Sequence, residues 1–156
     1  MKHISVIVPV GSSIVDTIIA PYNLLNMGNS DFRRLNGLSE SPFKIDLVGL
    51  ASKPITYQGL FSIQPSAVIE EIQKTDLIIV SPISGNLERE IVNNREFIAW
   101  IRKQRIEHDA EIASLCKGAF LLAETGLLNG KSCATHWTAH DQFRRRFPKV
   151  NLIPEK

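Results

Sequence analysis

Apolar and polar positions fall in blocks along this chain, and the period within each block assigns its secondary structure. Ile4 to Val10 is an apolar, β-branched run without helical spacing, the pattern of a buried strand. Pro9 and Gly11 close it, and Ser12 or Ser13 is placed to cap a helix carrying Ile14, Ile18, Ile19, Leu24 and Leu25. Pro21 is expected to kink or interrupt that helix. Met27 to Pro42 mixes glycine, asparagine, serine and charge and reads as a loop, with Phe32 and Leu35 as anchors of a helical turn. Lys44 to Leu50 predicts a second strand, and Lys53 to Phe61, with Pro54 and Gly59, a short hairpin or an irregular connection. Pro65 to Lys74 reads as a helix with proline at its amino end.

Leu77-Ile78-Ile79-Val80 is a fully apolar strand, followed by a turn at Pro82 to Asn86. Leu87, Ile91, Asn94, Ile98 and Ile101 recur at the spacing of one helix face, which predicts a single long helix to about Arg105. Ile112 to Leu115 is a further strand and Gly118 to Thr125 a helix. Ser132 to Thr135 is a short strand, Thr138 to Phe147 a polar-faced helix stopped by Pro148, and Val150 to Ile153 a final strand stub. Strands alternating with helices predict an α/β fold, a mainly parallel sheet covered by helices on both faces. Ligands of such sheets bind outside the carboxyl ends of the strands. The segments Gly11 to Asp16, Pro82 to Asn86, Cys116 to Gly118 and the residue His136 all fall there.

Composition narrows the class without naming a function. The 156 residues suit one domain, and 44% hydrophobic with 22% charged residues is ordinary globular material. A net charge of +2 is too small to argue for a nucleic-acid surface. Two cysteines, Cys116 and Cys133, are too few for a disulfide scaffold or zinc ribbon, so a reducing, cytoplasmic setting is expected. The first residues lack the long apolar core of a signal peptide, and no run is long enough to span a membrane. No glycine-rich phosphate loop occurs.

The candidate chemistry centres on Ala110 to Leu122, where an apolar strand stops at Cys116, Lys117 and Gly118 follow, and a helix begins. Such a corner lifts a side chain out of the sheet, and the unpaired N–H groups of the helix start favour thiolate. A buried structural cysteine fits the same stretch, as free cysteine packs like a small hydrophobe. Three further groups can meet Cys116 in the crevice. His136 is a base or hydrogen-bond partner, or else a packed or surface histidine. Asp16 is a proton acceptor, or else a first-turn helix acid. The backbone N–H groups of Ile83 to Gly85 and of Lys117 are candidate oxyanion donors.

The run Ser-Leu-Cys-Lys-Gly-Ala-Phe-Leu-Leu-Ala-Glu-Thr-Gly-Leu-Leu-Asn-Gly-Lys-Ser-Cys-Ala-Thr-His-Trp, Ser114 to Trp137, closely resembles the ThiJ/PfpI branch of the class I glutamine amidotransferase-like superfamily. Phe143 to Pro148, and Asp16 before Ala20-Pro21, extend the likeness to essentially the whole chain. The resemblance implies a three-layer α/β/α sandwich of flavodoxin-like kind, with Cys116, His136 and Asp16 as the catalytic or vestigially catalytic set. Gly11, Pro82, Ile83, Ser84, Gly85, Lys117 and Thr135 would be the ligand-binding surround. Within the branch the chain is most similar to the amino-terminal sensing half of AraC-type transcription regulators of the GlxA kind. That likeness implies a homodimer, an unidentified small-molecule or oxidant effector and no cofactor. DNA would be bound only through a carboxy-terminal pair of helix-turn-helix motifs absent from this sequence. Residues 1–156 then form a ThiJ/PfpI-like domain lacking its last strand and helix. The alternative is a cysteine-dependent hydratase or hydrolase of the same superfamily, acting on a small nitrogenous substrate.

Departures from the branch pattern weigh against turnover. The position after the elbow cysteine is Lys117 rather than histidine, Ser114 stands where many members have glycine, and the usual Gly-Gly reads Ile83-Ser84-Gly85. His136 and His140 stand four apart, but no third ligand has metal spacing, so no metal site is expected. Cys133 reads as core, and Arg144-Arg145-Arg146 as a solvated basic run.

Overall fold

The computed structural model describes residues 1–154, so the last two positions of the predicted domain lie outside the described residues. Its centre is a five-stranded sheet in which every pairing is parallel. β1 (Lys2–Ile7) pairs with β2 (Phe43–Gly49), and β3 (Ile55–Tyr57) and β4 (Phe61–Ile63) form a separate antiparallel hairpin. β5 (Ala67–Val68) adds outside β2. The chain then returns to β1's other side with β6 (Leu77–Val80) and finishes the sheet with β7 (Glu111–Ser114), giving the order β5-β2-β1-β6-β7. The direction of strand addition reverses between β1 and β6, where a parallel sheet opens a crevice at its carboxyl end.

The period-two alternation of the strands divides the core. Val6, Leu47 and Ile79 point toward α1 (Asp16–Asn36) and the hairpin. Ile7, Val48, Ile78 and Val80 point to the other face, where α2 (Leu87–Asn93), α3 (Arg95–His108), α4 (Gly118–Glu124) and α5 (His140–Arg146) lie. There Phe120 meets Phe143 edge to face at 5.1 Å. This is the predicted α/β/α sandwich with both sheet faces covered. Among the described residues no helix is long and apolar enough to cross a membrane.

Three segments depart from the sequence expectation, each for a tertiary reason. α1 runs through Pro21 and Met27 to Asn36, where Gly37, at φ 64°, donates its N–H to the Arg33 carbonyl. The polar residues that suggested a loop are engaged: the buried Asn29 donates to the Phe43 carbonyl at 2.8 Å and accepts from the Phe43 N–H at 3.2 Å. Pro65 to Lys74 is not helical. The Ser66 N–H donates to the Leu47 carbonyl and its hydroxyl to Asp46, which lays the segment along β2 as β5 before a 3-10 turn at Ile69–Glu71. The helix predicted from Leu87 to Arg105 breaks at Asn94, whose buried amide donates to the Val10 and Glu90 carbonyls and accepts the Val10 N–H. β8 (Ser132–Cys133) and β9 (Asn151–Leu152) pair with each other rather than with the main sheet.

A wired polar network lies in the amino half of the sheet. Asp46, 7% exposed, receives the His3 imidazole at 2.9 Å, the Lys44 ammonium at 3.0 Å and the Ser66 hydroxyl at 2.9 Å. Burial pushes its carboxyl pKa up, but those hydrogen bonds and the Lys44 charge outweigh it and leave the pKa below the ordinary 3.8. Nearby, Ser5 donates to Thr75, and the Thr75 N–H donates to the buried Gln104.

Candidate functional site

β7 ends at Ser114, and the Leu115 N–H still donates to the Val80 carbonyl, so the chain remains in the sheet for one residue more. Cys116 then takes φ 52°, the left-handed region that an L side chain rarely adopts. The Gly118 N–H donates back to the Leu115 carbonyl at 2.8 Å, closing the turn, and α4 starts at once. Only glycine fits as the first residue of α4, because a Cβ at Gly118 would lie 2.2 Å from the Val80 carbonyl oxygen. The corner is therefore pressed onto the end of β6. From the other side the Thr135 hydroxyl donates to the Cys116 carbonyl at 3.1 Å. The half-buried Cys116 thus occupies the strained strand-to-helix corner that the sequence predicted. Cys133 is half-buried against the core, and burial pushes its thiol pKa up.

The other predicted residues gather at the same end of the sheet without joining into a wired triad. Among the described residues, neither Asp16 nor His136 hydrogen-bonds the Cys116 thiol. The His136 Nδ1 sits 2.8 Å from the Thr138 hydroxyl, and its ring stacks on Trp137 at 5.8 Å between centroids. Trp137 itself is 74% exposed. Asp16 is exposed at the start of α1 and forms no ion pair or side-chain hydrogen bond among the described residues. It is not consumed as a helix cap. The N–H groups of Thr17, Ile18 and Ile19 go to the carbonyls of Ile14 and Val15, and neither predicted serine caps the helix.

The loops after β1 and β6 are stapled across the crevice. The Ser84 N–H donates to the Ser12 carbonyl at 2.9 Å, and the Ser13 hydroxyl to the Pro82 carbonyl at 2.6 Å. The Ser84 amide is thereby engaged, which removes one of the predicted oxyanion donors. Pro82, Ile83 and Thr135 are buried, Ser84 and Lys117 are half-buried, and Gly85 is exposed. Gly11, at φ 89°, lies directly against Glu90, where a Cβ would overlap the carboxylate.

Sequence reasoning passed over three neighbours of this region. Glu90, only 5% exposed, accepts the Ser12 N–H at 3.3 Å, and its position three after Leu87 put it on the apolar face of α2. Tyr57, in the hairpin, donates its hydroxyl to the Pro9 carbonyl at 2.6 Å. Phe61, on the second hairpin strand, shares a recess with Asp16, and nothing in its local pattern signalled that.

A profile of the DJ-1/PfpI family matches residues 19–150, which takes in the elbow, the Thr135-His136-Trp137 return and most of α1. The chain belongs to the DJ-1/PfpI family. Its curated relatives include the HTH-type transcriptional regulator CdhR of Pseudomonas aeruginosa, 24% identical over 88% of this chain and 37% of that protein. They also include the isonitrile hydratase of Pseudomonas putida, 27% identical over 72% of this chain and 46% of the enzyme. The chain spans less than half the length of each. Among solved structures, an AraC family transcriptional regulator from Pseudomonas putida superposes with a TM-score of 0.76. It is 15% identical over 99% of this chain and 77% of that one, a likeness of fold.

Proposed function

We propose that this chain is the effector-sensing domain of an AraC-type transcription regulator, cytoplasmic and dimeric, with DNA bound by a separate domain. The observation that carries this reading is a cysteine corner built to family geometry but not wired for turnover. Cys116 has no hydrogen-bonded base among the described residues, His136 is turned onto Thr138, and the Ser84 amide is engaged by Ser12. A site so arranged can bind or be oxidised without a catalytic cycle. The relationship to CdhR across 88% of the chain supports the same reading.

A second reading, a cysteine-dependent hydratase, draws on the left-handed backbone at Cys116 and on the likeness to isonitrile hydratase. One comparison separates them. Transcripts are profiled in the source organism with the native gene and with Cys116→Ala or Asp16→Ala, and the purified protein is incubated with an alkyl isonitrile. The sensing reading expects a defined transcript set to lose its response in both variants, with no formamide formed. Formamide production that depends on Cys116, beside unchanged transcripts, would replace sensing with hydration.

A further inference from the structure

Glu90 is a buried carboxylate outside the cysteine corner. It is 5% exposed, on the face of α2 that also buries Leu87 and Ile91, a place an aliphatic side chain would fill without an electrostatic penalty. Its surroundings do not offset that burial as those of Asp46 do. Among the described residues Glu90 forms no ion pair. It receives the Ser12 N–H and the Asn93 side-chain amide, each at 3.3 Å and both on Oε2. A buried charge held this loosely is weak evidence for stability, so its effect lies in the group it holds.

That group is the middle of the loop after β1. The two ends of the loop are fixed without Glu90. The Val10 N–H and carbonyl both bond the Asn94 side-chain amide, at 2.8 and 2.9 Å, and the Ser13 hydroxyl reaches the Pro82 carbonyl at 2.6 Å. Between them Gly11 takes φ 89°, and a Cβ there would lie 1.8 Å from the Glu90 Oε2, so the backbone is shaped to the carboxylate. Glycine leaves this stretch free to turn, and the Ser12 N–H makes the longest of these bonds.

The other side of Ser12 faces the crevice. Its carbonyl accepts the Ser84 N–H at 2.9 Å. A carbonyl, carboxylate or oxyanion bound at the loop after β6 would need that N–H as its donor. Such an oxygen must first displace the Ser12 carbonyl.

We propose that Glu90 is a positioning residue for this donor. By holding the Ser12 N–H it keeps the Ser12 carbonyl on Ser84, and a shift of the Gly11–Ser12 stretch off Glu90 frees the Ser84 N–H for a ligand's oxygen. The proposal deepens the sensing reading by naming what closes its crevice, and it rests on that reading only for its biological use.

The test is hydrogen exchange at the Ser84 amide of the purified protein, followed by NMR. Glu90→Leu fills the same space without an acceptor and should speed exchange at Ser84 at least about tenfold, while the amides of Ile78 and Ile79 in β6 keep their protection. Glu90→Ala should do the same. Glu90→Gln, whose side-chain oxygen still accepts an N–H, should leave Ser84 protected. Unchanged exchange at Ser84 in Glu90→Leu overturns the proposal. So does a loss of protection in Glu90→Gln equal to that in Glu90→Leu, or an acceleration spread evenly through β6, since Glu90 would then act only as part of the core. Exchange that follows Glu90 as expected, beside a transcript response unchanged in Glu90→Leu, would keep the positioning role and remove its use in sensing. A response abolished by Cys116→Ala, beside Ser84 exchange indifferent to Glu90, would keep the sensing reading and remove the positioning role.

Discussion

The two ends of the sheet treat their polar groups in opposite ways. In the amino half, Asp46 is matched by three partners and Ser5, Thr75 and Gln104 form a hydrogen-bonded chain, although the buried His3 Nδ1 beside them has no partner among the described residues. At the carboxyl end Asp16 has no side-chain partner among the described residues. The fully buried Ser81 hydroxyl has none either, and Cys116 is held in a backbone region it does not favour. Matched groups hold a fold together, whereas unmatched groups and strain persist where something else is to be bound.

Substitutions can break or sharpen this contrast. The largest effect is expected from Gly118→Ala, which drives a methyl into the Val80 carbonyl with no side chain able to give way. Equilibrium urea unfolding should show a loss of roughly 3 kcal/mol or more, or no folded protein. Asp46→Asn comes next, with a loss of about 2–3 kcal/mol at neutral pH, since it unbalances a buried hydrogen-bonded set. The sign of its pH dependence follows from the lowered carboxyl pKa. The stability it contributes is present in full above the unfolded value near 3.8 and is lost as pH falls through the lower folded value. Asp46→Asn should therefore flatten the acid limb of a stability profile measured between pH 5 and pH 2.

Tyr57→Phe removes only the hydroxyl that ties the hairpin to Pro9. It should lower the urea midpoint by the equivalent of about 1 kcal/mol and speed amide exchange along β3 and β4. Burial holds the Tyr57 phenol pKa well above its ordinary value, so the loss should be the same at pH 7 and pH 9. The smallest effect has the opposite sign. Cys116→Gly relieves a left-handed L-residue and should stabilise the protein by about 0.5–1 kcal/mol by thermal unfolding. A loss of stability there would mean the thiol packs as core and would erase the contrast.

Much of this was legible in the sequence. β1 and β6 carry the apolar runs of buried parallel strands, β2 turns apolar toward its carboxyl end, and β7 at the sheet edge alternates exposed and half-buried positions. The corner at Cys116 was legible because a strand, a glycine and a helix start so close together permit few geometries. What was hidden depended on distant partners. The second half of α1 is rich in asparagine and serine, and Asn29 earns its place only against Phe43. Asn94 fitted the helix face by spacing, yet its amide serves Val10, 84 residues away. The Ser84 amide looked available until the Ser12 carbonyl was found across the crevice. The Asp16–Phe61 recess joins residues that no local pattern connects.

The two tryptophans give this molecule a built-in optical probe. Trp100 is 7% exposed within the helical core, whereas Trp137 stands 74% in solvent, stacked on His136 beside the cysteine corner. Their emission should separate, with a blue, iodide-resistant component from the core and a red, iodide-quenched one from the rim. Occupancy or oxidation near Cys116 could then be followed in the red component alone, without a label and with the blue component as an internal standard.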